Sequence, residues 1–207
     1  MTSIVLAGGK SSRFGWTKAH QTIGDKSLIE WVIDRLAKIS TDIIIVTGQE
    51  DRFNSLASTM RFPPKIITDI HPGKGPLGGI YTGLMALSGP QAIVVGSDMP
   101  FLSTGLLSYM VQHSQAFDAV IPRIGKWIEP LCAVYSRSCL APIQTLLDRN
   151  QLSISNLLSM VKVNYVEEAQ VDRFDPEHLS FFNINAVADL DKARRLVSEK
   201  GLDHAKY

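Results

Sequence analysis

Short apolar runs and amphipathic stretches take turns along the first half of the chain. Runs at Ser3–Ala7, Asp42–Thr47, Lys65–Thr68 and Ala92–Ser97 predict strands. Helical spacing of apolar positions predicts helices over Leu28–Lys38, Asp51–Thr59, Gly78–Leu87 and Thr104–Ser114, with Ser27 and Ser103 as N-caps. The run Ile43-Ile44-Ile45-Val46 is apolar without alternation, as expected of a parallel strand covered on both faces. Strand–helix alternation of this kind predicts right-handed βαβ crossovers and a Rossmann-like sheet. Ligands of such sheets gather beyond the carboxyl ends of the strands. Gly8, Asp69 and Asp98 each follow a strand there, so they are expected to share one crevice.

The second half changes character. Asp118–Pro122 and Ile128–Tyr135 read as strands joined across Arg123-Ile124-Gly125-Lys126. Helices follow at Leu140–Arg149 and Ile154–Met160, then strands at Val161–Val166 and Ser180–Ile184, and a last helix at Val187–Lys200 with a mobile tail. No repeat, low-complexity stretch or linker interrupts the chain, so one mixed α/β domain over residues 1–207 is expected.

The first strand empties into Leu6-Ala7-Gly8-Gly9-Lys10-Ser11-Ser12-Arg13-Phe14-Gly15-Trp16-Thr17-Lys18. Paired glycines let backbone amides turn with positive φ and approach phosphate oxygens, and Lys10, Arg13 and Lys18 add positive charge. A strand-to-helix turn with solvated basic residues has the same composition. The loop is not a Walker motif, because Ile4 stands where the first glycine is required. Nor is it a dinucleotide fingerprint, because the glycines are adjacent and the second strand ends late, at Gly48-Gln49-Glu50.

Three further places could carry chemistry. Ile93-Val94-Val95-Gly96-Ser97-Asp98-Met99-Pro100 is a buried-type strand ending in a rigidly mounted carboxylate, a hard ligand suited to Mg2+; an aspartate serving the turn before Pro100 reads equally well. Thr68 to Gly79 is dense in glycine and proline and opens a helix, which suits either a ligand wall or a plain surface loop. Asn185 ends Phe181-Phe182-Asn183-Ile184-Asn185, where a strand gives way to the last helix, and by itself reads as that helix's cap.

The opening motif resembles the signature of the molybdenum cofactor guanylyltransferase family: Leu-Ala-Gly-Gly, a polar stretch, Arg-Met-Gly and a lysine, with Phe14 in place of the methionine. Later elements match in order over residues 4 to about 190. Gly96-Ser97-Asp98-Met99-Pro100 matches Gly/Cys-x-Asp-x-Pro. Gly75-Pro76-Leu77-Gly78-Gly79 matches Gly-Pro-Leu-Ala-Gly, and Glu129-Pro130-Leu131-Cys132-Ala133 matches His/Glu-Pro-x-x-Ala. Asn183-Ile184-Asn185 matches Asn-x-Asn, with Ala186 where threonine is usual. The family's asparagine after the second strand is missing, its nearest positions being Thr47 and Gly48.

The resemblance implies a three-layer Rossmann-like α/β fold of the nucleotide-diphospho-sugar transferase type with a mostly parallel central mixed sheet. Residues 1–115 would form a nucleotide-binding half and 116–207 an acceptor-binding half. It implies Mg2+-dependent transfer of GMP from GTP to molybdopterin, in its molybdenum-loaded form, with release of pyrophosphate. By the same resemblance Asp98 and Asn185 hold the metal, Lys18 the triphosphate, and Arg13 the charge near the leaving group. Leu6, Ala7, Gly8 and Gly9 contact the nucleotide, Asp69 contacts guanine, and the loop after Asp69 covers base and ribose. On the second-half hairpin, Arg123, Lys126, Trp127 and Glu129 offer cations and a flat aromatic that suit a phosphorylated pterin; a solvated hairpin tip has the same residues.

Composition narrows the classes. With 21 Lys and Arg against 20 Asp and Glu, the net charge of +1 supplies no global field for nucleic acid or a membrane surface. No apolar run reaches the length of a membrane span, and the N-terminus enters a strand without a secretory pattern, so a cytoplasmic location is expected. Cys132 and Cys139 fit no zinc spacing, and five scattered histidines form no ligand pattern. Contacts with other molybdenum-cofactor enzymes stay open. So do two other activities, a CTP-dependent pterin cytidylyltransferase and a sugar-phosphate nucleotidyltransferase, and a non-catalytic nucleotide-binding protein of the same fold. By resemblance, Leu-Ala-Gly-Gly, where cytidylyl relatives read Leu-Ala-Ala-Gly, and the retained Gly-Pro-Leu-Gly-Gly favour GTP, and retention of Lys18, Asp69, Asp98 and Asn185 favours an enzyme.

Overall fold

A computed structural model describes residues 1–8, 21–48, 53, 60 and 62–200. Its centre is an eight-stranded sheet built from β1 (Thr2–Leu6), β4 (Asp42–Thr47), β5 (Lys65–Thr68), β6 (Gln91–Gly96), β7 (Ala119–Ile124), β8 (Trp127–Ile128), β9 (Cys132–Ser136) and β10 (Val163–Glu167). The order is β10-β7-β9-β6-β1-β4-β5, with β8 paired to β7. β6, β1, β4 and β5 are mutually parallel, and β10 is parallel to β7. β9 runs antiparallel to both β6 and β7. β2 (Thr22–Ile23) and β3 (Lys26–Ser27) form a separate hairpin.

Alternate residues of each central strand feed opposite faces, which produces two helical layers. Val5, Ile43, Ile45, Ile93 and Val95 pack against α1 (Leu28–Leu36) and α3 (Thr104–Gln112). Ile4, Leu6, Ile44, Val46 and Val94 pack against α2 (Gly75–Met85), α4 (Leu140–Asp148) and α5 (Ile154–Leu158). Helix α2 crosses β1 closely. A Cβ on Gly83 would lie 2.6 Å from Ile4 Cγ2, and one on Gly79 would lie 3.1 Å from Leu6 Cδ2. The expected caps form: Ser27 closes a capping box with Glu30, and Ser103 accepts from the Leu106 amide.

A third apolar cluster joins Ile23, Leu28, Trp31, Phe101 and Ile184 to Leu190, Ala193 and Val197 of α7 (Val187–Lys200), the helix that follows α6 (Glu168–Val171). It sits under two segments of interest, the turn after β6 and the strap before α7.

Several expectations are corrected. Ser180–Ile184 is not a strand. The buried Asp175 carboxylate accepts the Leu179 and Ser180 amides over 2.9 and 2.8 Å, closing a 3-10 turn at Leu179–Phe181, and Phe182 and Ile184 then pack into the third cluster. Ile128–Tyr135 is two strands, β8 and β9. Pro130 has no N–H for a ladder, and the chain kinks there as Glu129 N donates to Pro122 O and Cys132 N to Glu129 O. Gly8 does not take positive φ, whereas Gly73 and Gly75 do, at 79° and 63°. Cys132 and Cys139 are buried free thiols, both pushed up in pKa by burial. Among the described residues no helix is long and apolar enough to cross a membrane.

Candidate active site

The carboxyl ends of the parallel strands form one continuous ledge. Asp69 N donates to Thr47 O (2.8 Å), Ala7 N to Val46 O (2.9 Å), Ser97 N to Leu6 O (3.2 Å) and Gly96 N to Leu131 O (3.1 Å). Each residue just past a strand is thereby laddered to its neighbour, so Leu6, Ala7, Gly8, Asp69 and Asp98 share the expected edge. Three inter-strand steps separate β5 from β6, which puts the Asp69 and Asp98 positions about 14 Å apart with Ala7 and Gly8 between them. A Cβ on Gly8 would meet no described residue within 4 Å. Gly9, Lys10, Arg13 and Lys18 lie outside the described residues, as does the helix expected over Asp51–Thr59 apart from the buried Phe53.

Asp98 is mounted on rigid structure. Its carboxylate folds back over Gly96, where a Cβ would come within 2.6 Å of Asp98 Oδ1. Its carbonyl accepts the Ile184 amide over 3.1 Å, which ties the strap carrying Asn185 directly to the Asp98 turn. One carboxylate oxygen of Asp189 accepts the amides of both Asn185 and Ala186 at 2.8 Å, fixing the start of α7. Asn185 therefore stands two residues before the helix, and the capping is done by Asp189. The tie joins the backbones of the two segments, and the two side chains, an aspartate and an asparagine, offer only hard oxygen donors to a metal. Among the described residues no three His, Cys, Asp or Glu side chains cluster to hold a metal. Two oxygen donors fit Mg2+, which prefers to keep most of its shell as phosphate and water oxygens.

Asp69 organises the opposite end. Its Oδ1 accepts from the His71 amide (2.9 Å) and from the Thr82 hydroxyl (2.8 Å), so the carboxylate both shapes the loop and is shaped by it. Left-handed Gly73 and Gly75 then turn the chain into α2, and Lys74 Nζ donates to Asn150 Oδ1 across to the second half (2.9 Å).

The β7–β8 hairpin carries the remaining candidates beside the same edge. Trp127 is 68% exposed, with Lys126 Nζ 5.2 Å from its ring centroid. Arg123 is not a loose cation: it pairs with Glu167 on β10, Nε to Oε2 at 3.0 Å, and lies over the Tyr165 ring. Glu129 is half-buried, and burial raises its carboxyl above the ordinary value. Leu131, two residues on, is the residue bonded to Gly96, so this turn abuts the Asp98 strand.

Sequence reasoning missed Thr82, Asp175 and the third cluster. Thr82 meets Asp69 across 13 residues and two elements, a pairing no local pattern signals. The Asp175-Pro176-Glu177-His178 turn was the available sign that an extended strand would not run through Ser180.

Residues 3–163 match the MobA-like NTP transferase domain. A probable molybdenum cofactor guanylyltransferase of Pelotomaculum thermopropionicum is 34% identical over 93% of this chain and 91% of its own length. The molybdenum cofactor guanylyltransferase of Desulfosudis oleivorans is 31% identical over 95% and 96%. The crystal structure of molybdopterin-guanine dinucleotide biosynthesis protein A from Archaeoglobus fulgidus superposes with a TM-score of 0.83 at 30% identity, covering 96% of this chain and all of that one. The chain belongs to the molybdenum cofactor guanylyltransferase family, nucleotidyltransferases built on the MobA-like NTP transferase domain.

Proposed function

We propose that this protein transfers GMP from GTP to molybdopterin and releases pyrophosphate, with Mg2+ as the metal. The observation that carries the reading is the joining of the Asp98 and Asn185 segments by the Ile184–Asp98 bond, on the edge that also bears Leu6–Gly8 and Asp69. GTP lies along that edge with its base toward Asp69 and its α-phosphate toward Asp98. Guanine presents N1–H and a 2-amino group as donors, which the Asp69 carboxylate and backbone groups of Leu6 to Gly8 complement. Lys18 binds the triphosphate, and Arg13 neutralises charge on the departing pyrophosphate.

The terminal phosphate of the pterin attacks the α-phosphorus in line. A new P–O bond forms as the bond to the β-phosphate breaks, and the electron pair leaves with pyrophosphate. A phosphate monoester has a second pKa near about 6, so the nucleophile is already ionised at neutral pH and no general base is needed. Positioning and charge neutralisation do the rest. Asp98 and Asn185 hold the divalent ion, which supplies neutralisation of charge on the α-phosphate when bound. The exposed face of Trp127 stacks the pterin, with Lys126 on its phosphate and Glu129 on its polar ring edge, while Arg123 stays paired with Glu167. The test is product analysis. GTP labelled at the α-phosphate should pass its label into a molybdopterin–guanine dinucleotide in a Mg2+-dependent reaction, and label retained in GTP or in free GMP would refute it.

A further inference from the structure

We propose that Thr82 is a positioning residue for base recognition, holding the Asp69 carboxylate in the orientation that reads guanine. This rests on the reading of Asp69 as a base contact given above. Thr82 lies inside α2 and is 4% exposed. Its hydroxyl donates to Asp69 Oδ1 over 2.8 Å and accepts from the Ile70 amide over 3.2 Å, so it grips the loop at two points. A helical threonine ordinarily spends its proton on the carbonyl four residues back, and Gly78 O is 3.0 Å away. A hydroxyl has one proton to give, and a carboxylate oxygen is a stronger acceptor than an amide carbonyl, so the proton belongs to Asp69.

The His71 amide also lands on Oδ1, over 2.9 Å. Both donors fall on Oδ1 and, among the described residues, none on Oδ2, which is the oxygen assigned to the base. The mount itself has no slack. A Cβ on Gly78 would lie 2.9 Å from His71 O, so the loop packs directly on the helix that carries Thr82. A carboxylate held on a fixed helix loses little freedom when it meets the base, which converts a hydrogen bond into discrimination.

The experiment is competition binding of GTP against ATP, which lacks both donors of the guanine edge, to wild type, T82V, T82S and D69N, each checked by thermal melting. D69N keeps Oδ1 for Thr82 and His71 and replaces Oδ2 by an amide donor. T82V is expected to lower the GTP-to-ATP affinity ratio by about threefold to tenfold, D69N to lower it further, and T82S to retain the wild-type ratio. T82A gives the same readout should T82V not fold. If both nucleotides weaken equally in the folded Thr82 variants while D69N still collapses the ratio, Thr82 only packs the helix and the inference is overturned. If D69N leaves the ratio unchanged, Asp69 does not read the base, and the inference falls with that reading.

Discussion

The Ile184 amide donates to the Asp98 carbonyl over 3.1 Å, joining two segments that lie 86 positions apart in the chain. Both segments stand on the same small core. Phe101, three residues after Asp98, packs edge-on to Trp31 at 6.2 Å and against Phe182 at 5.9 Å, and Ile184 is wholly buried beside them. The proposed metal pair is thus set by hydrophobic packing under it rather than by a local motif.

Asp98→Ala is expected to abolish turnover nearly completely while leaving the melting temperature and most GTP affinity in place. Losing the carboxylate removes charge stabilisation worth several kcal/mol, on the order of what a catalytic ion supplies. Steady-state kinetics on the folded variant check this, and near-normal turnover would remove Asp98 from the mechanism.

Gly96→Ala separates stability from activity. The added methyl would sit 2.6 Å from Asp98 Oδ1, and the end of a short side chain can rotate away, so the fold tolerates the change cheaply. The carboxylate then leaves its place. Turnover should fall by more than about tenfold, equivalent to about 1.4 kcal/mol, with unfolding free energy moved much less. A variant that melts early but turns over normally per folded molecule contradicts the placement.

Much of this was legible in the sequence, and the reason is physical. Continuous apolar runs such as Ile43 to Val46 have one stable use, as strands covered on both faces, and the helices between them force parallel pairing. Parallel strands put their carboxyl ends on one side, so Gly8, Asp69 and Asp98 line the same edge of the sheet. What stayed hidden was tertiary. Phe181, Phe182 and Ile184 read as strand residues because they are apolar and bulky. The nearby Asp175 carboxylate closes the turn by accepting the Leu179 and Ser180 amides, and the Trp31 and Phe101 rings, distant in sequence, give Phe182 and Ile184 a core to pack in. Arg123 likewise reads as a free cation until β10 brings Glu167 into register opposite it.

Phe101→Ala should destabilise the fold by about 3–5 kcal/mol, the cost of emptying a buried aromatic site. Phe101 is 6% exposed and contacts two aromatic rings. Urea denaturation measures it. A loss below about 1 kcal/mol, less than the lower end for such truncations, would mean that the third cluster is not a core.

Glu129→Gln tests a carboxylate kept in a half-buried place. Burial raises its folded-state pKa above the ordinary 4.5. The protonated form is the one the fold favours, so the stability contributed by this group is fully present below the ordinary pKa and is lost as pH rises through the folded value. At pH 7 the ionised group therefore opposes folding. Glu129→Gln, neutral throughout, should be more stable than wild type at neutral pH, and the difference should vanish in acid below the ordinary carboxyl pKa. Urea midpoints at the two pH values decide it, and a difference independent of pH contradicts the burial argument.

The most direct measurement is pyrophosphate release from GTP, CTP, ATP and UTP in turn, with Mg2+ and molybdopterin present. On the proposed reading, guanine meets the Asp69 carboxylate and backbone groups at Leu6 to Gly8. Adenine would leave buried groups unpaired, at about 1–3 kcal/mol each, and cytosine would fill only part of a purine-sized site. GTP is expected to be the best substrate by at least about tenfold. CTP level with GTP or above it would contradict guanylyl transfer.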